Sequence, residues 1–379
     1  MNQIWAVWAG VLFLLMGLQQ EGRAQVYANA PGVYSRAIKK RVPMQPGAVL
    51  KLSNKYGPVV VRGWERNVAL VEVYTEVRAS GEARARQVFE RVGNQVSALP
   101  QLVTVSTVLA PKETQWWSWG AMEPEDYSIA LKVTLPHNVT VQVSNEYGDV
   151  DISEIEGLVN LQVRQGNINC SALGGLASIN LQHGHIRVDE AGQLSANLLH
   201  TEAWLENIGT AEIHSRYTVA KAEDIGVLTT NTRYDTYRIK NVGTLQNTGK
   251  YDELDVSKAG TVTIHSSLSK VFLSNIGQYL KVEMDSSSVF IGGIEQGLEQ
   301  IDLNGRFTDF HVQFEQSAPF RLDAKAQYAG IRYPKGLKVH YEKEAPALHE
   351  VKGEVGSSRL GAALRARLSY GALLVEQED

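Results

Sequence analysis

From Val141 to Ile294 the chain repeats itself every 17 or 18 residues. The clearest copy is Val-Gln-Val-Ser-Asn-Glu-Tyr-Gly-Asp-Val-Asp-Ile-Ser-Glu-Ile, residues 141 to 155. With Tyr147 as phase marker, equivalent positions fall at Gln165, His183, His200, Tyr217, Tyr234, Tyr251, Leu268 and Ser286. Two steps of 21 then reach Phe307 and Tyr328, and a step of 42, twice 21, reaches Tyr370. Around the marker the apolar residues hold phase. Three positions after it stand Val150, Ile168, Ile186 and Ala203; five after it, Ile152, Cys170, Val188 and Leu205; six before it, Val141, Val159, Ala177 and Leu194. Eight after it, every copy through Ile294 has Ile, Leu, Val or Ala, and no charged residue enters these columns across that stretch.

A fixed period of this length with apolar residues in phase is the signature of stacked repeats. Within a copy the apolar residues alternate, which is strand spacing. One copy cannot bury its inward face alone, but copies stacked about 4.8 Å apart bury the columns against each other. The expected fold is all-β: a parallel β-helix-like solenoid with coils of 17–21 residues. Twelve coils would make a rod of roughly 55–60 Å. A left-handed hexapeptide helix repeats its apolar residue every six positions; this chain does not, which favours the right-handed form. The column at eight after the marker places Ile225 fully buried between Ile208 and Val242.

Three segments follow. Residues 1–24 are expected to be a signal peptide: Ile4 to Leu18 is an uninterrupted apolar run, short for a membrane span, and Gly22-Arg23-Ala24 offers a small-x-small cleavage site. No later apolar run reaches spanning length, so no integral membrane span is expected after cleavage. Residues 25–140 read as an N-terminal cap of strands and one helix. The cap carries a lone copy of the repeat from Ala48 to Trp64. Ser80 opens the helix, Val88, Phe89, Val92, Val96 and Leu99 form its stripe, and Pro100 closes it. Residues 141–379 form the solenoid. Within them 334–364 break phase as an irregular coil ahead of a closing strand pair, Leu364 to Val375. A cap is needed because a bare terminal coil exposes its apolar columns and a strand edge.

Two motifs, Ser53-Asn54-Lys55-Tyr56-Gly57-Pro58-Val59 and Ser144-Asn145-Glu146-Tyr147-Gly148-Asp149-Val150, flank a helix and a Trp-containing loop and precede the repeats. In this order the chain resembles the putative adhesin family of exported bacterial proteins, a domain of unknown function. The resemblance implies a parallel β-solenoid with no assigned catalytic residues. The chain departs from it in the middle coils, where Tyr-Gly is lost, as at Thr201 and Leu268-Ser269.

Few residues suggest chemistry. Net charge is −4 and pI is near 6.2, which gives no electrostatic reason to expect nucleic acid. The single cysteine, Cys170, sits in an inward column as an apolar filler. Asp151 and Arg187 share the outward column four after the marker with Asn169, Trp204, Lys221, Arg238, Asp255, Phe272, Phe290, His311 and Arg332. That column is expected to be a solvated face without the carboxylate cluster of a polysaccharide lyase. His183 and His200 stand one coil apart, with His185 nearby, and invite a zinc reading. A structural corner ladder, continued by Tyr217, Tyr234 and Tyr251, is the expectation; neither metal nor cofactor is expected. Trp116, Trp117 and Trp119 are the candidate binding residues, between Pro111 and Pro124. Trp116 would face a ligand, rimmed by Glu113, Glu123, Glu125 and Asp126, while Trp117 and Trp119 plug the end of the stack. The expected function is a non-enzymatic exported envelope or adhesin-like module in the periplasm, at the cell surface or secreted. Its partner would be a glycan or an envelope protein. A carbohydrate-active β-helix enzyme and a purely structural scaffold are the alternatives.

Overall fold

The computed structural model describes residues 26–30, 32–110, 126–294, 297–316, 318–356 and 361–378. Among these there is one helix, α1 (Glu82–Arg91), and otherwise strands and turns, an all-β architecture. Residues 1–25, with the expected leader, lie outside the described residues. No helix among the described residues is long and apolar enough to cross a membrane.

The sequence period becomes hydrogen-bond register. Strand Val150–Ile155 pairs in parallel with the residues one period on, Val150 with Ile168 and Ile152 with Cys170. Val159 lies between Val141 and Ala177. Farther along, Ile225 pairs with Ile208 on one side and Val242 on the other. It is 3% exposed, as its column requires. Each apolar column is therefore one buried row, and every rung supplies the next with backbone partners.

The marker is the corner of each coil. Tyr56, Tyr147, Gln165, His183, His200, Tyr217, Tyr234, Tyr251, Leu268, Ser286, Phe307, Tyr328 and Tyr370 all have φ between 50° and 63°. A non-glycine residue in this left-handed region costs roughly 1–2 kcal/mol. Three contacts offset the cost at Tyr147. Its N–H donates to the Arg164 carbonyl at 3.0 Å. Its ring stacks on Tyr56 at 5.2 Å. Asn145, two residues before, donates from Nδ2 to the Gly148 carbonyl at 2.8 Å and the Gly57 carbonyl at 3.1 Å. Gly148 is needed for approach: a Cβ there would stand 2.0 Å from the Gly57 carbonyl oxygen. The Asn-x-Tyr-Gly-x-Val motif is thus accounted for by corner mechanics alone, since its valines, Val59 and Val150, enter the core.

The change from 18 to 17 residues also has a local cause. Glu154, Ala172, Asn275 and Gly293, each seven after a marker, are left-handed. They occur in the coils followed by a step of 18 or 21. The five coils that step by 17, starting at His183, have no such residue there, and their second corner turns with one residue fewer.

At the N-terminal end the lone copy of the repeat pairs in parallel as the later copies do. Strand Val49–Lys55 pairs in parallel with Thr140–Glu146 on one side and with Leu102–Leu109 on the other. Strand Val59–Trp64 lies likewise between Val150–Ile155 and Asp126–Pro136. The strands beyond then reverse direction: Asp126–Pro136 pairs antiparallel with Val68–Arg78, and that strand with Val33–Pro43. The helix is shorter than its sequence stripe. It ends at Arg91, and Val92–Leu99 is a strand antiparallel to Leu102–Leu109. Gly93 and Asn94 are poor helix formers, and Val92 and Val96 gain more in a ladder than as the continuation of a helical stripe.

The C-terminal end departs from the expected order. Residues 334–364 are not merely irregular: Lys338–Ala345 and Leu348–Val355 form an antiparallel hairpin whose second strand pairs with Phe320–Gln327. The closing pair does not follow the Tyr328 coil as the next coil outward. Strand Ala362–Ser369 inserts between Gln300–Arg306 and Phe320–Gln327, parallel to both. Strand Ala372–Gln377 inserts between Asp309–Phe314 and Gly330–Arg332. Tyr370 accordingly stacks on Phe307 at 4.9 Å and on Tyr328 at 5.2 Å. The column pattern of a coil fits any neighbour with the same pattern, so phase alone does not fix order. The antiparallel hairpin seals the edge that the Tyr328 coil would otherwise expose.

Candidate binding face

The tryptophan patch lies outside the described residues: Trp116, Trp117 and Trp119, with Glu113, Glu123 and Glu125, fall in 111–125. Asp126 opens the following strand. His183 and His200 form the expected ladder, with ring centroids 5.0 Å apart and planes 5° from parallel. Imidazole lone pairs lie in the ring plane, so two parallel rings at this spacing do not converge on one ion. The ladder continues through His200–Tyr217 at 4.8 Å, Tyr217–Tyr234 at 5.0 Å and Tyr234–Tyr251 at 4.7 Å. Asp151 and Arg187 do not meet. Asp151 accepts from Asn169 Nδ2 at 2.8 Å, and Arg187 pairs with Asp189 and Glu206. Cys170 is buried, and burial pushes its thiol up to about 12, as fits a filler.

The expected solvated column four after the marker is not uniform. Near the C-terminal end Phe272, Phe290, His311, Leu374 and Arg332 border an open apolar groove of about 610 Å³. Phe290 meets His311 edge-on at 5.0 Å.

A larger open groove, about 710 Å³, runs along the other strand face of the middle coils, beside the aromatic corner. Two outward columns line it. Three before the marker stand Asn180, Asn197, His214, Asn231 and Thr248; one before it stand Arg216, Arg233 and Lys250. The three cations are register partners in successive coils, Arg216 with Arg233 and Arg233 with Lys250. Among the described residues none is ion-paired to a carboxylate. Elsewhere in the same column charge is compensated: Lys55 and Arg164 both pair with Glu146, and Arg306 pairs with Asp285. Like charges directly opposite on a ladder destabilise it. Arg233 and Lys250 stand instead beside the corner rings, 5.3 Å from the Tyr234 centroid and 5.1 Å from the Tyr251 centroid. The strip lies outside both the inward columns and the outward column four after the marker; its signal in the sequence is three cations at steps of 17.

Beneath the strip lies a buried polar ladder. In the middle coils the residue after the marker is no longer glycine but Thr218, Asp235, Asp252 and Ser269, all buried. From Asp235 onward each side chain takes the backbone N–H of its counterpart in the preceding coil. Thr218 N–H donates to Asp235 Oδ1 at 2.7 Å, Asp235 N–H to Asp252 Oδ1 at 2.9 Å, Asp252 N–H to Ser269 Oγ at 3.0 Å, and Ser269 N–H to Ser287 Oγ at 3.1 Å. The remaining Asp235 oxygen accepts from the Ser215 hydroxyl at 2.7 Å and the Arg233 N–H at 3.0 Å. Burial pushes the Asp235 carboxyl up to about 6, against the pull of these hydrogen bonds and with help from the Asp252 charge. Burial raises Asp252 in the same way. Both acids are occupied by corner N–H groups, so their perturbation follows from a structural task.

No family model matches the chain, and no curated protein matches it. Among solved structures it is similar to a putative cell adhesion protein from Clostridium sporogenes, at 8% identity and a TM-score of 0.25, covering 91% of this chain and 100% of that one. A putative adhesin from Bacteroides fragilis is 8% identical, with a TM-score of 0.22 over 90% of this chain and 97% of that one. Another from Parabacteroides distasonis is 9% identical, with a TM-score of 0.24 over the same shares, 90% and 97%. At these scores the likeness carries no argument about this chain.

Proposed function

We propose that the chain is an exported, non-enzymatic, adhesin-like module of the cell envelope, built as a right-handed parallel β-solenoid of 17–21-residue coils. The division we infer is a leader of residues 1–24, a cap of 25–140 that carries the first coil, and a coiled stack of 141–379. Membership of the putative adhesin family is part of the same reading; the paired Asn-x-Tyr-Gly-x-Val motifs support it. One observation carries the functional reading: outward side chains repeat in register, so the groove beside Tyr217, Tyr234 and Tyr251 is a periodic face and not a single pocket. A periodic face suits an extended ligand better than a small substrate. The perturbed acids nearby, Asp235 and Asp252, face inward and hold the corner, which supports a binding task over hydrolysis.

The test incubates the purified chain with cell-envelope fractions and with a panel of polysaccharides. Co-sedimentation with envelope material, without new reducing ends from any polysaccharide, is the expected result. Release of reducing ends would overturn the non-enzymatic reading, and absence of any envelope retention would overturn the adhesin-like one.

A further inference from the structure

The groove can be read for the chemistry of its ligand, an inference that rests on the binding reading above. Three features define it. The first is the uncompensated row Arg216, Arg233 and Lys250, exposed and in register. An unpaired row of cations is tolerated at a site that gains an anionic partner. The guanidinium forks of Arg216 and Arg233 match carboxylate geometry. The second is the parallel row of polar groups, Asn197, His214, Asn231 and Thr248, which can hydrogen-bond to hydroxyls. His214 is already steered by Glu212 at 3.2 Å, which leaves one of its ring nitrogens for the groove.

The third feature is the state of the rings. Tyr217, Tyr234 and Tyr251 stack on one another within 2° of parallel, so the inner faces of the ladder are already occupied. They stand at the rim, next in the chain to the lining residues Arg216, Arg233 and Lys250, and their hydroxyls have no protein hydrogen-bond partner among the described residues. Single-stranded nucleic acid is held by bases stacking on free aromatic faces; this strip offers none in its interior. It offers hydroxyl donors, amides and forked cations, repeated once per rung of about 4.8 Å. One sugar of an extended polysaccharide advances by about the same distance.

We propose that this strip is a binding site for an extended acidic polysaccharide. Carboxylates on the side of the polymer that faces the strip would pair with the row Arg216, Arg233 and Lys250. Sugar hydroxyls would meet the Asn/His/Thr row and the tyrosine hydroxyls. Neutral glycans lack the partner for the cation row, and polyanions without hydroxyls lack the partner for the polar row.

The experiment measures binding of the chain to polygalacturonate, to the same polymer with its carboxyls methyl-esterified, and to polyglutamate. Binding of polygalacturonate, at least tenfold tighter than either control and weakened by added salt, is expected. Arg216→Gln/Arg233→Gln should weaken it at least tenfold, while Arg238→Gln, an exposed cation past the corner on the next strand, should not. The triple change Tyr217→Phe/Tyr234→Phe/Tyr251→Phe keeps the stack and removes only hydroxyls, and should weaken binding several-fold without changing the melting temperature; it serves where the arginine variant fails to fold. Equal binding of polyglutamate, equal binding of the methyl ester, no binding of polygalacturonate, or indifference to both sets of substitutions would overturn the proposal. Envelope retention that persists in the Arg216→Gln/Arg233→Gln variant would reject this site while leaving the adhesin-like reading intact.

Discussion

Asp235 shows how one residue ties corner geometry to stability. Its carboxyl is raised from the ordinary 3.8 to about 6 because it is buried. In the unfolded chain it ionises near pH 4, while in the folded chain it keeps its proton until about pH 6. Between those values only the folded state holds the proton, so this group's contribution to stability is lost as pH rises through the window. The whole shift corresponds to about 3 kcal/mol. Asp252 is raised in the same direction and adds to the trend. Asp235→Asn removes the titration. Denaturant midpoints taken at pH 4.5 and pH 6.5 should fall with rising pH in the wild type and differ much less in the variant. An unchanged slope in the variant would place the titrating group elsewhere. The acid was visible in the sequence as the residue after the marker, but its role was not. Glycine is the expected residue there, and only the stacked backbone shows that a corner N–H must otherwise go unpaired.

At the scale of the element, inward columns were legible and ends were not. Alternating apolar residues at fixed phase have one solution that buries them all, and Ile208, Ile225 and Val242 form that row. Ile225→Asp would put an unpaired carboxylate between two buried aliphatic neighbours. It should cost about 3 kcal/mol or more. A thermal melt within a degree or two of wild type would contradict the column assignment. The helix ends early for a physical reason: Val92 and Val96 satisfy a helical stripe and one face of a strand equally over so short a span, while Leu99 falls on the exposed face. Partners decide such cases, and Leu102–Leu109 is the partner. Candidate binding residues were less legible still. A tryptophan cluster draws attention by composition, whereas Arg216, Arg233 and Lys250 become a site only when three coils are laid side by side.

For the whole molecule, the period specifies what each coil looks like but not where it goes. Any coil with Leu, Val or Ile in the shared columns can stack on any other. The chain uses this freedom at both ends: strands Leu102–Leu109 and Asp126–Pro136 stack on the far side of 49–64 from residues 140–155, and at the C-terminal end 362–377 threads between two earlier coils while the hairpin of 338–355 closes the exposed edge. Contacts between residues far apart in sequence close the stack, so this end should form late in folding. Stacking by column and not by chain order is the central claim, and cysteine cross-linking tests it directly. In a Cys170→Ala background, Arg306→Cys/Ser369→Cys and Gln327→Cys/Ser369→Cys place thiols on register partners, at a spacing a disulfide spans. Arg306→Cys/Gln327→Cys places them two rungs apart, roughly 10 Å, which a disulfide does not span. Under mild oxidation the first two pairs should cross-link and the third should not, as read by mass spectrometry of the digested chain. Ready cross-linking of residues 306 and 327, with none between 306 and 369, would mean that the coils follow chain order and would contradict the account.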